Sequence, residues 1–300
     1  MSRCRPIVAT LVVAAGLLVP ASAGADSTRT VRYGPFTVPG GTHAMPGSYE
    51  SLRVGVSKPC SECYVTSLTP DLTYAHDGTR ATMATGMMLH HAVFASQWRS
   101  DATCSGTWLG LAGERFFASG DERSRVELPT GYGYRLRWYD RWNLLVDLMN
   151  MSAGSKQVYL TVTYTYRSSS EPVRPVRPIW LDIDNCGDSE YSIPATYPAE
   201  HDSHRDWQST MDGTIVAMGG HVHHTGRRVE ATNESQGGSL ICSSSATEDM
   251  EHVIAMSPCT GFLPAAIHRG DVIRLHSIYS SDVPRDDVMG IMLAYVDRTG

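Results

Sequence analysis

Val158 to Tyr166 reads V-Y-L-T-V-T-Y-T-Y, an almost unbroken alternation of β-branched and aromatic residues. Such a run pleats into a strand, because successive side chains point to opposite faces and branched or aromatic groups suit that half-buried surface. Thr214 to His223, Val272 to Ser277 and Met289 to Val296 carry the same signal, and Arg135 to Asn150 holds two further strands broken around Asp140 and Arg141. Capped helical periodicity is scarce, while 27 glycines and 16 prolines punctuate the strands. The chain is therefore expected to be all-β and built as sandwiches.

The N-terminus has the three-part layout of a secretory signal peptide. Arg3 and Arg5 precede an apolar run from Ile7 to Val19, with small residues at Ala21, Ala23 and Ala25 before Asp26. The run is too short for a good membrane span, so residues 1–25 read as a leader and the mature chain as secreted. The chain has 25 basic and 31 acidic residues; losing Arg3 and Arg5 leaves 23 against 31, a net charge of −8. This acidic balance without a basic stripe argues against nucleic acid or an anionic membrane as partner.

Cys4 departs with the leader, leaving Cys60, Cys63, Cys104, Cys186, Cys242 and Cys259. An even number in an exported chain reads as up to three disulfides whose pairing the sequence does not choose, although Cys242 with Cys259 is a plausible local pair. Cys60-Ser-Glu-Cys63 could be a redox pair or half a zinc site. No second C-x-x-C and no thioredoxin-like context accompanies it, which favours a structural disulfide.

About 275 mature residues are long for one sandwich. The polar, proline-rich segment 168–178 reads as an exposed linker between an N-terminal sandwich over 30–167 and a C-terminal one over 179–300. Each half contains one cluster of histidines in an apolar setting: Met88-Leu-His90-His91-Ala-Val93, and Gly219-Gly-His221-Val-His223-His224. Imidazole is a borderline ligand, and His221 and His223, two residues apart, share a strand face. Met289 adds a thioether just ahead of a strand. Two imidazoles with one thioether suit copper, whose reduced state favours soft ligands, better than zinc. Met292, three residues later, should face the other way, and His224 should alternate away from the pair. His276 is a candidate neighbour of that site, while His201 and His204 read as solvated in a loop.

The order of these motifs, with His90 and His91 first, then a strand over Leu144 to Asn150, then His221 and His223, then Met289, resembles the copper type II ascorbate-dependent monooxygenases. These are the relatives of peptidylglycine α-hydroxylating monooxygenase and dopamine β-monooxygenase. The chain is also similar to secreted bacterial and plant proteins of the stress-up-regulated nodulin group. The resemblance implies two consecutive jelly-roll-like β-sandwiches, each holding one copper across an open cleft. It implies a first copper on His90 and His91 that passes an electron. A second, on His221, His223 and Met289, would hydroxylate a C–H bond with dioxygen, and ascorbate would serve as external reductant.

Two places depart from that pattern. Where the family has a third histidine, this chain reads Leu144-Leu-Val-Asp-Leu-Met-Asn150. Asp147 and Met149 share a face and either could reach the metal; aligned on the following Asn, Met149 is the substitute. A His-His-Met site favours reduced copper and makes electron delivery harder. The positions that hold a peptide carboxylate in the peptide-hydroxylating member are Gly219, Ile291 and Leu293 here, and a buried carboxylate without a charged partner is costly.

No Gly-x-Ser-x-Gly elbow, His-Glu-x-x-His helix or phosphate loop is present, and Asp182 and Asp184 lack calcium-loop spacing, reading as a solvated acidic turn. Two functions are expected from these residues. One is a secreted copper oxidoreductase hydroxylating an unknown, apolar substrate; the alternative is a non-catalytic copper-binding or stress-related protein on the same scaffold. Asn150-Met-Ser and Asn233-Glu-Ser match the glycosylation triplet.

Overall fold

The computed structural model describes Met1 and residues 26–104, 113–249 and 252–298; apart from Met1, the expected leader lies outside the described residues. Among the described residues there are twenty strands and two single 3₁₀ turns. The first half contributes β1 (Ser27–Val38), β2 (Gly47–Val56), β3 (Cys63–Tyr74), β4 (Met87–Gln97), β5 (Glu114–Ser119), β6 (Val126–Glu127), β7 (Tyr132–Leu136), β8 (Arg141–Asn150) and β9 (Lys156–Ser168). The second contributes β10 (Arg174–Asp182), β11 (Tyr191–Ile193), β12 (His201–Gln208), β13 (Gly213–Val222), β14 (Gly226–Asn233) and β15 (Ser239–Glu248). It ends with β16 (Val253–Met256), β17 (Ala265–Ile267), β18 (Val272–Tyr279), β19 (Arg285–Val288) and β20 (Gly290–Asp297). The fold is all-β and sandwich-like, and the alternating runs form β9, β13, β18 and β20. His201 to His204, expected in a loop, begin β12, which pairs with β18.

A nine-stranded sheet runs in the order β1-β9-β3-β7-β10-β20-β13-β17, with β6 on β3. The four-stranded sheet β2-β8-β4-β5 and the strands β1, β3, β7 and β9 enclose one apolar core, which includes Leu72, Phe94, Trp142 and Tyr164. The five-stranded sheet β12-β18-β14-β15-β16 and the strands β10, β13 and β20 enclose a second, which includes Ile179, Val229, Leu275 and Met292.

β20 explains how the halves are joined. Ile291, Leu293 and Tyr295 belong to the first core, whereas Met292, Ala294 and Val296 belong to the second. All eight residues of this strand are buried, as a strand covered on both faces must be. Its sequence, read as one of the alternating runs, is in fact apolar almost throughout, which reflects that position.

The proline-rich segment differs from the expected exposed linker. β9 reaches Ser168, and β10 pairs in parallel with β7 and antiparallel with β20, burying Val173, Val176 and Pro178. Residues 168–170 are exposed as the polar, proline-rich composition suggested, while further on Arg174 pairs with Asp297 and Arg177 lies 3.6 Å from the buried Glu114. Asp182 is also buried, accepting hydrogen bonds from Trp180 Nε1 and Ser189 Oγ, so it is no solvated turn.

The cysteines pair as Cys60–Cys63, Cys104–Cys186 and Cys242–Cys259. The second bridge ties the two halves together. Beside it, fully buried Arg115 bonds Asp101 at 2.8 Å and Asn185 at 3.1 Å and lies over Trp180. Both glycosylation triplets are closed to a glycosyl donor, because Asn150 is 0% and Asn233 1% exposed.

Candidate metal centre

Neighbouring residues on a regular strand point to opposite faces, so His90 and His91 should diverge. They do not. The pairing of β4 with β8 slips between Leu89 and His91, opposite Leu148 and Asp147, and leaves His90 as an extra residue. A bulge of this kind re-aims a side chain, and the two rings lie with centroids 4.1 Å apart. His221 near the end of β13 and His223 just beyond it project alike, their rings 5.3 Å apart.

The pairs read as halves of two separate sites meet in one cluster. His91 Nε2 is 3.0 Å from His223 Nε2, with the rings nearly parallel. His90 and His223 rings are 5.4 Å apart, and His91 and His221 rings 5.6 Å. One ring nitrogen from each of His90, His91 and His223 falls within 4.8 Å of the other two.

Three of the four rings are held through Nδ1, leaving Nε2 to face the cluster. His90 Nδ1 lies 2.6 Å from Asp147, His221 Nδ1 3.2 Å from Glu122, and His223 Nδ1 donates to the carbonyl of Asp287. Metal-ligating histidines are characteristically anchored this way, since the partner fixes both tautomer and ring orientation. Asp147, weighed as a direct ligand from sequence, thus sits behind His90. Burial, reinforced by the neighbouring imidazoles, holds the pKa values of His91 and His223 well below the ordinary histidine value. Both are neutral at physiological pH, the form that binds metal.

The donor set fits a transition metal. Two nitrogens each about 2.0 Å from one ion are 3.0 Å apart when they subtend an angle near a right angle. His221 Nε2 is buried without a hydrogen-bond partner among the described residues, a cost that a cation beside it would relieve.

The two methionines border different cavities. Met289 lines one of about 480 Å³ with His91 and His221, while Met149 lines one of about 240 Å³ with Met88, His90 and His223. Met292 faces the second core, opposite Met289, as the strand period required. His224 turns to Glu248, 3.2 Å away, and His276 pairs with Asp202 at 2.9 Å. Glu122, the Asp287 carbonyl and Tyr279 were not foreseen. Tyr279 Oη accepts from the His223 N–H and donates to the Met289 carbonyl. No short motif announces such partners, because each is recruited from another segment.

No family model matches the chain. The "Probable copper-dependent oxygenase clz3" of Cochliobolus lunatus is 30% identical over 244 residues, covering 73% of this chain and 75% of that protein. This chain belongs to that copper-dependent oxygenase family. A second relative, the "Probable copper-dependent oxygenase M1" of Phoma sp., is 29% identical over 300 residues, 89% of this chain and 72% of the relative. Membership in the copper-dependent oxygenases agrees with the clustered imidazoles. It is a broader assignment than the ascorbate-dependent monooxygenases that the motif order resembles. Among solved structures, "Crystal Structure of the STIV MCP" aligns over 91% of this oxygenase-family chain and 97% of that one, at 11% identity and a TM-score of 0.42.

Proposed function

We propose that this protein is a secreted copper-dependent oxygenase that hydroxylates a C–H bond of an organic substrate. The observation that carries the reading is the convergence of His90, His91 and His223 within 4.8 Å of one another, with carboxylate or carbonyl partners behind His90 and His223. These three residues would hold the copper. His221 stands beside them as a further imidazole, and Met289 and Met149 are the thioethers available from the two adjoining cavities. Copper, when bound, supplies the one-electron redox chemistry through which dioxygen is reduced, which no side chain of the cluster provides.

The overall reaction consumes one dioxygen, two protons and two electrons. One oxygen atom enters the C–H bond as a hydroxyl and the other leaves as water, the electrons coming from an external reductant such as ascorbate. The chain's own part is to hold four imidazoles together at the ends of its strands, with Asp147 and Glu122 fixing the orientation of the His90 and His221 rings. Secretion is supported by the leader-like N-terminus and the three disulfides. Among the described residues no helix is long and apolar enough to cross a membrane.

Metal analysis of copper-loaded wild type, His90→Ala and His223→Ala tests the centre. One copper per chain lost in both variants supports a shared site. Two coppers, of which each variant loses a different one, would instead restore two independent sites. Substrate-dependent oxygen uptake with ascorbate separates an oxygenase from a passive copper binder.

A further inference from the structure

The larger cavity has a composition that specifies its ligand. Its volume of about 480 Å³ lies within the roughly 300–1,000 Å³ usual for small-molecule sites. β20 presents Ile291, Leu293 and Tyr295 to it, Met289 just ahead of that strand joins them, and Val93, Val126 and Met218 add to the apolar wall. The polar groups of this wall are already engaged. Tyr295 Oη donates to the Phe116 carbonyl at 2.9 Å, Trp180 Nε1 to Asp182 at 3.0 Å, and Ser119 Oγ to the Gly120 carbonyl at 3.1 Å. Arg125, the cation in the lining, is paired with Glu127 at 3.1 Å. Glu122 is taken by His221 and by the Gly120 N–H.

Of the buried polar side-chain atoms in this lining, His221 Nε2 alone has no partner among the described residues. The cavity wall is therefore mainly apolar, with the imidazole cluster at one side and the solvent-exposed Arg125–Glu127 pair as a charged edge. Space is left beside that cluster by the strand that carries His221. Ala217 and Gly219 share its face at two-residue spacing, and a Cβ built on Gly219 meets nothing within 4 Å. Gly219, Ile291 and Leu293 are also the positions at which a peptide carboxylate would have been held, and none can pair with a charge.

We infer that this cavity is the substrate chamber and that it takes an uncharged, predominantly hydrocarbon molecule, presented to the centre from the side of His91 and His221. The inference rests on the oxygenase reading for the identity of the centre, but the chamber's ligand class follows from its own wall. A charged group placed against Ile291, Leu293 and Tyr295, away from the exposed Arg125–Glu127 pair, would lose its hydration with no free partner among the described residues to replace it.

Binding of a neutral probe, phenylnaphthylamine, to the metal-free full chain tests the chamber independently of copper. Fluorescence titration should show saturable binding that weakens progressively through Gly219→Ala and Gly219→Leu, by about tenfold in the latter as the side chain fills the space. Thermal melts of the same variants check that they fold. Retention of wild-type affinity by a folded Gly219→Leu would overturn the chamber. If that variant fails to fold, wild type still decides: anilinonaphthalene sulfonate bound as tightly as the neutral probe overturns the ligand class, and much weaker binding of the anion supports it. Copper content, measured in parallel, reports on the metal centre alone, so the two readings fail separately.

Discussion

His91 Nε2 and His223 Nε2 lie 3.0 Å apart across 132 residues of chain. Neither residue comes near the other without the sheet that β10 and β20 carry from one half into the next. The centre is therefore a property of the joint between the sandwiches, and changes that loosen the joint should be felt as changes in metal binding.

Asp147 accepts from His90 at 2.6 Å and is only 19% exposed. Replacing it by Asn keeps the shape but weakens the hold on the ring. Asp147→Asn should lower copper affinity by about 10- to 100-fold with little change in fold. Competition against a chelator of known affinity, beside circular dichroism, measures both; unchanged affinity would remove Asp147 from the centre.

Gly120, in the β5–β6 connection, packs closely against His221 and Glu122. A Cβ there would stand 2.8 Å from His221 Cε1 and 2.6 Å from Glu122 Oε2. Gly120→Ala should push His221 aside and alter the Cu(II) paramagnetic resonance spectrum, at a stability cost of about 1–3 kcal/mol. A spectrum superimposable on wild type would show that His221 does not sense this contact.

Tyr279 is fully buried, with its hydroxyl between the His223 N–H and the Met289 carbonyl. Tyr279→Phe leaves both backbone groups without that partner and should cost about 1–3 kcal/mol in urea unfolding. It should also speed copper release, because His223 loses its backbone tether.

Asp101 tests the joint by pH. Burial pushes its carboxyl pKa up, but hydrogen bonding and charge attraction from Arg115 outweigh this and hold the value below the ordinary carboxylate range. A group with a depressed folded pKa contributes stability that is present above the unfolded value, near 3.9, and is lost as pH falls through the folded value. Asp101→Asn should therefore be less stable at neutral pH, with a shallower loss below about pH 4 than wild type. Melting temperatures across that range decide the matter; parallel curves would exclude the pair as a pH-dependent brace.

Strand identity, the sandwich class and the histidine pairs were legible because each depends on local pattern. The V-Y-L-T-V-T-Y-T-Y run of β9 can bury a face in only one periodicity, and His221 and His223 share a side at a spacing of two. The opposite placement of Met289 and Met292 follows from the same rule. The even cysteine count behind a leader-like N-terminus led to the expectation of disulfides, though the sequence offered no basis for pairing Cys104 with Cys186 across a separation of 82.

Tertiary structure decided the rest. Whether His90 and His91 converge depends on a bulge against β8, which is a property of two strands and not of either sequence alone. Segment 168–178 read as an exposed linker because it is polar and proline-rich; residues 168–170 are exposed, but from Arg174 the chain joins the sheet between β7 and β20, partners distant in sequence. The meeting of His90 and His91 with His221 and His223 in one cluster depends on the sheet that continues through β10 and β20 from one half into the other. Local pattern tells a residue which way to point; which partner it meets is set by contacts between segments far apart in the chain, where packing and charge pairing act together.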